Sequence, residues 1–76
     1  MNKERRKQIQ EVIEALETVR SDVESIMDDE QEYLDSIPEN LQGSERYEKA
    51  EEATSNLSDA MYSLEEALDS LNQAMD

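Results

Sequence analysis

The sequence predicts an all-α fold, an antiparallel, coiled-coil-like two-helix hairpin that dimerises into a four-helix bundle. Three observations carry this expectation. Apolar residues recur at alternating steps of three and four through both halves of the chain, the signature of a helix with one apolar stripe. The single proline and single glycine, Pro38 and Gly43, sit together at mid-chain. The chain has 76 residues and no cysteine, so its core is thin and no disulfide supports it, which leaves oligomerisation as the remaining stabiliser.

The first helix is expected over about residues 3–36. Its stripe reads Ile9, Val12, Leu16, Val19, Val23, Ile26, Tyr33 and Ile37, with Glu30 as the one polar residue in the series. A link over 37–44 follows. Pro38 disfavours helical geometry at Ile37 and lacks an amide donor. Pro38 to Leu41 has room for one short helical turn. Gly43 is free to take a positive φ, and Ser44 is a good N-cap with Glu45 behind it at the positive helix end.

The second helix is expected over about 45–75. Its stripe reads Tyr47, Ala50, Thr54, Leu57, Met61, Leu64, Leu68, Leu71 and Met75. A second row, Ala53, Ala60, Ala67 and Ala74, repeats every seven residues, which is a coiled-coil period. Helices of about 30 residues are each about 45 Å long, and a short link makes them antiparallel neighbours. Folding about residue 40 sets Ile9 near Leu71, Leu16 near Leu64 and Val23 near Leu57. Glu30 then falls beside Ala50 and Thr54, a polar layer that fixes register. The alanine row, Ile13, Met27 and Leu34 are left at the edges. Ala53, Ala60, Ala67, Ala74, Ile13 and Met27 are therefore the expected self-association surface, completed by a second copy or by a partner helix.

A formal charge of −14 repels nucleic acid and anionic lipid and attracts basic proteins. No apolar run is long enough to span a membrane, and none follows the basic N-terminus as a signal peptide requires. These features predict a cytoplasmic protein with no nucleic-acid or membrane partner. The densest acidic run is Asp28, Asp29, Glu30, Glu32 and Asp35. It lacks the central glycine of a calcium loop, and the chain has no histidine or cysteine for zinc. No metal or other cofactor is expected. Glu45, Glu48, Glu51 and Glu52 crowd the same end of the hairpin. Asp28, Asp29, Glu32, Asp35, Glu48, Glu51 and Glu52 are the candidate surface for a basic partner. Residues 1–7 sum to +3 and residues 8–76 to −17. The hairpin sets Lys3, Arg5, Arg6 and Lys7 beside Asp69 and Asp76. An exposed helical surface cannot tune paired carboxylates for acid–base work, so no enzyme is expected. Met27, Met61 and Met75 fall at helical spacing and read as core filler, and Tyr33 and Tyr47 as caps on the core at the tip.

Three segments carry a resemblance: Met1-Asn2-Lys3-Glu4-Arg5-Arg6-Lys7, the stretch from Asp29 through Tyr33-Leu34-Asp35-Ser36-Ile37-Pro38 to Gln42, and the Leu/Ala/Glu repeat to the end. Over its whole length the chain resembles a family of short, acidic, uncharacterised bacteriophage and prophage proteins. The resemblance implies location in a host bacterial cell. It also implies, as a possible class, DNA mimics that inhibit host or defence nucleic-acid-binding proteins, the anti-CRISPR type included. The alternative is a structural homodimeric coiled coil or scaffolding module. Leu41-Gln42-Gly43 and Tyr62-Ser63-Leu64-Glu65-Glu66 are also similar to the turn and tail signals of the WXG100 family, which implies a secreted hairpin. The family's tryptophan is absent here, the chain is short, and Tyr62 lies inside the second helix instead of after it.

Overall fold

The computed structural model describes all residues, 1–76. It holds two long helices, α1 (Lys3–Asp35) and α2 (Glu45–Ala74), and between them a 3-10 turn, Glu39–Leu41. There are no strands, and the two helices pack against each other along their length.

Both helices start on side-chain caps. The Asn2 side chain accepts from the Arg5 amide at 2.7 Å, and the Ser44 hydroxyl accepts from the Tyr47 amide at 3.3 Å, each satisfying an amide that the helix itself leaves unpaired. The link is a chain of tight turns. The Ser36 amide bonds Glu32 O, Ile37 bonds Leu34 O, Leu41 bonds Pro38 O, Gln42 bonds Glu39 O, and Ser44 bonds Leu41 O. Gly43 does not use its freedom to take a positive φ, because these right-handed turns reverse the chain without one.

The hairpin is 59 Å long and 15 by 13 Å across, with a radius of gyration of 17.4 Å. A globular chain of this length would have about 11 Å. Five residues are buried: Ile13, Leu34, Ile37, Ala50 and Leu68. The stripe of α2 faces α1 as expected, every member being buried or half-buried.

In α1 the structure corrects the expected stripe. The residues turned inward are Ile9, Ile13, Leu16, Arg20, Val23, Met27, Glu30, Leu34 and Ile37. The row Ile13–Arg20–Met27–Leu34 has taken the place assigned to Val12–Val19–Ile26–Tyr33. Ile13 is the least exposed residue in the chain at 2%. Ile13 and Leu34 are therefore core, and Met27 is half-buried; none of the three is a free edge. Both rows flank the shared row Ile9–Leu16–Val23–Glu30–Ile37, so the spacing permits a seam on either side. The link decides between them. It brings α2 across the side carrying Leu34 and Ile37, at 9% and 7% exposure, and leaves Tyr33 outside with its hydroxyl free to meet water.

Candidate functional site

With the seam fixed, each helix has one row to either side of it. Glu24, Ser58 and Glu65 line one hollow together with Arg20, Met27 and Met61. Tyr33 and Arg46 line another with Glu30 and Ala50. These groupings establish which flanks of the two helices meet, since an antiparallel pair places like flanks together. One side of the hairpin carries Glu17, Glu24 and Gln31 from α1 beside Glu51, Ser58, Glu65 and Asn72 from α2. The other carries Val12, Val19, Ile26 and Tyr33 beside Ala53, Ala60, Ala67 and Ala74. The molecule thus has an acidic side and an apolar side.

All seven carboxylates of the expected acidic surface are exposed. They are not one flat patch. Asp28 and Asp35 border the acidic side from α1, and Glu48 and Glu51 border or occupy it from α2. Asp29 and Glu32 point to the back of α1, and Glu52 to the back of α2. Asp35 accepts from the Gln31 side-chain amide at 2.9 Å. No three carboxylates converge into a group that would hold a cation. The charge is continued along the acidic side by Glu14, Glu17, Glu24 and Glu65, a continuation missed in the sequence because it requires the true seam.

Half-buried Arg20 is the cation of this side. Its stem lies in the seam, and it lines the hollow with Glu24 and Glu65, as long basic side chains do when the head must reach water. Half-buried Glu30 is the second charged seam residue, in a hollow with Arg46 and Lys49. Its expected neighbour in a polar layer, Thr54, instead satisfies its hydroxyl on its own helix, donating to Ala50 O at 2.9 Å.

The molecule has one ion pair, Lys49 to Glu45 at 3.1 Å, on the exposed surface of α2. Lys3, Arg5, Arg6 and Lys7 consequently pair with neither Asp69 nor Asp76, contrary to the structural role expected for them. The residues of both groups are exposed.

The expected self-association residues divide. Ala60, Ala67 and Ala74 are exposed and Ala53 is half-buried. Ile13 is spent in the hairpin's own core. In its place the apolar side offers Val12, Val19, Ile26 and Tyr33, each 42–55% exposed.

No family model, no curated protein and no solved structure matches this chain. The surface chemistry alone therefore carries the functional argument. No helix is long and apolar enough to cross a membrane.

Proposed function

We propose that this chain is a non-catalytic binding module of the bacteriophage type. It acts in the cytoplasm of a host bacterium by presenting its acidic side to a basic, nucleic-acid-binding surface of another protein. The observation that supports this reading is the segregation of charge. Glu17, Glu24, Glu51 and Glu65 occupy one side without a paired cation within salt-bridge distance, bordered by Asp28, Asp35 and Glu48. Glu24 and Asp28, and Glu48 and Glu51, are three or four residues apart, a spacing that puts Cβ atoms about 6 Å from each other, and Glu17 follows seven residues from Glu24, about 10 Å along the helix. A rigid rod of such charges offers a basic groove some of what a nucleic-acid backbone offers. Maintaining like charges side by side lowers stability, and a binding role would offset that cost in selection.

The test is competition. The DNA-binding proteins of a bacterial lysate are captured on immobilised duplex DNA, with and without the hairpin. The hairpin should displace a subset of them, more strongly at 50 mM than at 300 mM salt. The combined substitution Glu24→Gln, Asp28→Asn, Asp35→Asn, Glu48→Gln, Glu51→Gln should stay helical and lose the effect. No displacement at low salt, or equal displacement by the substituted chain, would defeat the proposal.

A second reading, a structural self-associating coiled coil, is favoured by a different observation, the open apolar side.

A further inference from the structure

We infer that the apolar side is the docking surface for a second copy of this chain, laid tip to tail on the first. This goes beyond the acidic-binding proposal and does not rest on it, because the acidic sides stay outward in the pair.

The amount of surface argues for an occupant. The hairpin exposes 5705 Å², whereas a compact monomer of 8.8 kDa exposes about 4,800 Å². The excess is close to the ~800 Å² that each partner contributes to a standard stable interface. A side 59 Å long and about 15 Å wide has room for a footprint of that size.

The charges argue that the occupant is this chain. On α2 neither the alanine row nor the row beside it, Lys49, Asn56, Ser63 and Ser70, carries a carboxylate; on α1 the row Val12, Val19, Ile26 and Tyr33 carries none and the row beside it, Gln8, Ala15, Asp22 and Asp29, carries two. A chain of charge −14 approaches its own kind at least cost on this side, where carboxylates are fewest.

The ends argue for the orientation. Between residues 28 and 52 lie ten carboxylates and two cations, so stacking tip on tip would oppose like charges. Tip to tail, a two-fold axis passes at the level of Val19 and Ala60. Val12 of one copy then meets Ile26 of the other, seven residues to either side, and Ala53 meets Ala67 in the same way. Fourteen residues out, Arg5 reaches Tyr33 of the second copy, with Asp29 one helical turn from that ring. The basic segment that finds no partner within the hairpin finds one there, with a cation–π contact available on the ring.

The chain has no cysteine, which allows single thiols to report the geometry. The unaltered protein should sediment at twice 8.8 kDa at micromolar concentration. Val19→Cys alone should link to itself through a short thiol–thiol cross-linker while keeping its helicity. Val12→Cys and Ile26→Cys should each fail alone and link when mixed. A monomer at every concentration would overturn the inference. So would a dimer in which Val19→Cys links only to Ala60→Cys, since that pairing belongs to the tip-on-tip arrangement. If a cysteine variant does not fold, the mass of the unaltered chain still decides whether a second copy binds.

Discussion

Gly43 is the residue whose chemistry and setting disagree most. Its φ is negative, and a Cβ placed on it would meet nothing within 4 Å. Its flexibility therefore serves only the unfolded chain. Gly43→Ala should raise stability by about 0.4–1 kcal/mol, read as a higher urea midpoint with an unchanged m-value. Ile13 is the opposite case. Ile13→Ala removes the least exposed side chain of a thin core and should cost about 2–3 kcal/mol. Tyr62→Ala, at 66% exposure on the outside of α2, should change stability by under about 0.5 kcal/mol. Equal losses from the two changes, by thermal melt, would contradict the seam described above. Local chemistry of this kind is legible from sequence where it depends on near neighbours. Ser44 caps α2 because it stands just before a helical run. The backbone angle of Gly43 depends on how the five preceding residues turn, which composition does not encode.

Within α1 the choice of seam carries a lesson about apolar counting. The row Val12–Val19–Ile26–Tyr33 is wholly apolar, and the row Ile13–Arg20–Met27–Leu34 contains an arginine, yet the second is the one packed on α2. Periodicity locates a helix's apolar face to within one row. Choosing between adjacent rows takes the direction in which the link delivers the partner helix. Arg20 is tolerated in the seam because it is only half-buried and lines an open hollow with Glu24 and Glu65, where its charge stays in reach of water. Arg20→Leu should therefore stabilise the hairpin by about 1 kcal/mol, as the replacement buries apolar surface without a charge to hydrate. Chemical denaturation checks this, and a lower midpoint would mean that the guanidinium contributes more through the two glutamates than through its stem. For α2, where the stripe is unbroken apart from Thr54, every residue that sequence periodicity placed inward is buried or half-buried, and the structure adds Ala53 and Ser58 as half-buried.

For the hairpin as a whole, the dominant unfavourable term is its own charge. A net −14 with one exposed ion pair leaves carboxylates repelling each other across a rod only 15 Å wide. Screening lengths fall from about 30 Å at 10 mM salt to a few ångströms near 1 M. Raising sodium chloride from 10 to 500 mM should then raise the melting temperature by roughly 5 °C, corresponding to about 1 kcal/mol. An unchanged or lowered melting temperature would show that the cations at the open end contribute more than the repulsion removes. The acidic character was plain from composition. The line of carboxylates along one flank was hidden, because Glu17, Glu24 and Glu65 look like scattered solubilising residues until the seam assigns them a common flank.

The hydrogen-bonded link has a kinetic consequence. Residues that line a hollow near it, such as Glu30 and Ala50, are near in sequence, whereas the start of α1 and the end of α2 are separated by most of the chain. The entropy lost in closing a loop grows with its length, by about 0.6 kcal/mol per doubling. Pairing therefore starts at the tip and advances outward, each layer shortening the loop that the next must close. Opening runs the other way. The first part of the molecule to come loose is the end that holds Lys3, Arg5, Arg6 and Lys7, so the only strongly basic segment is also the one most often free of its helix partner.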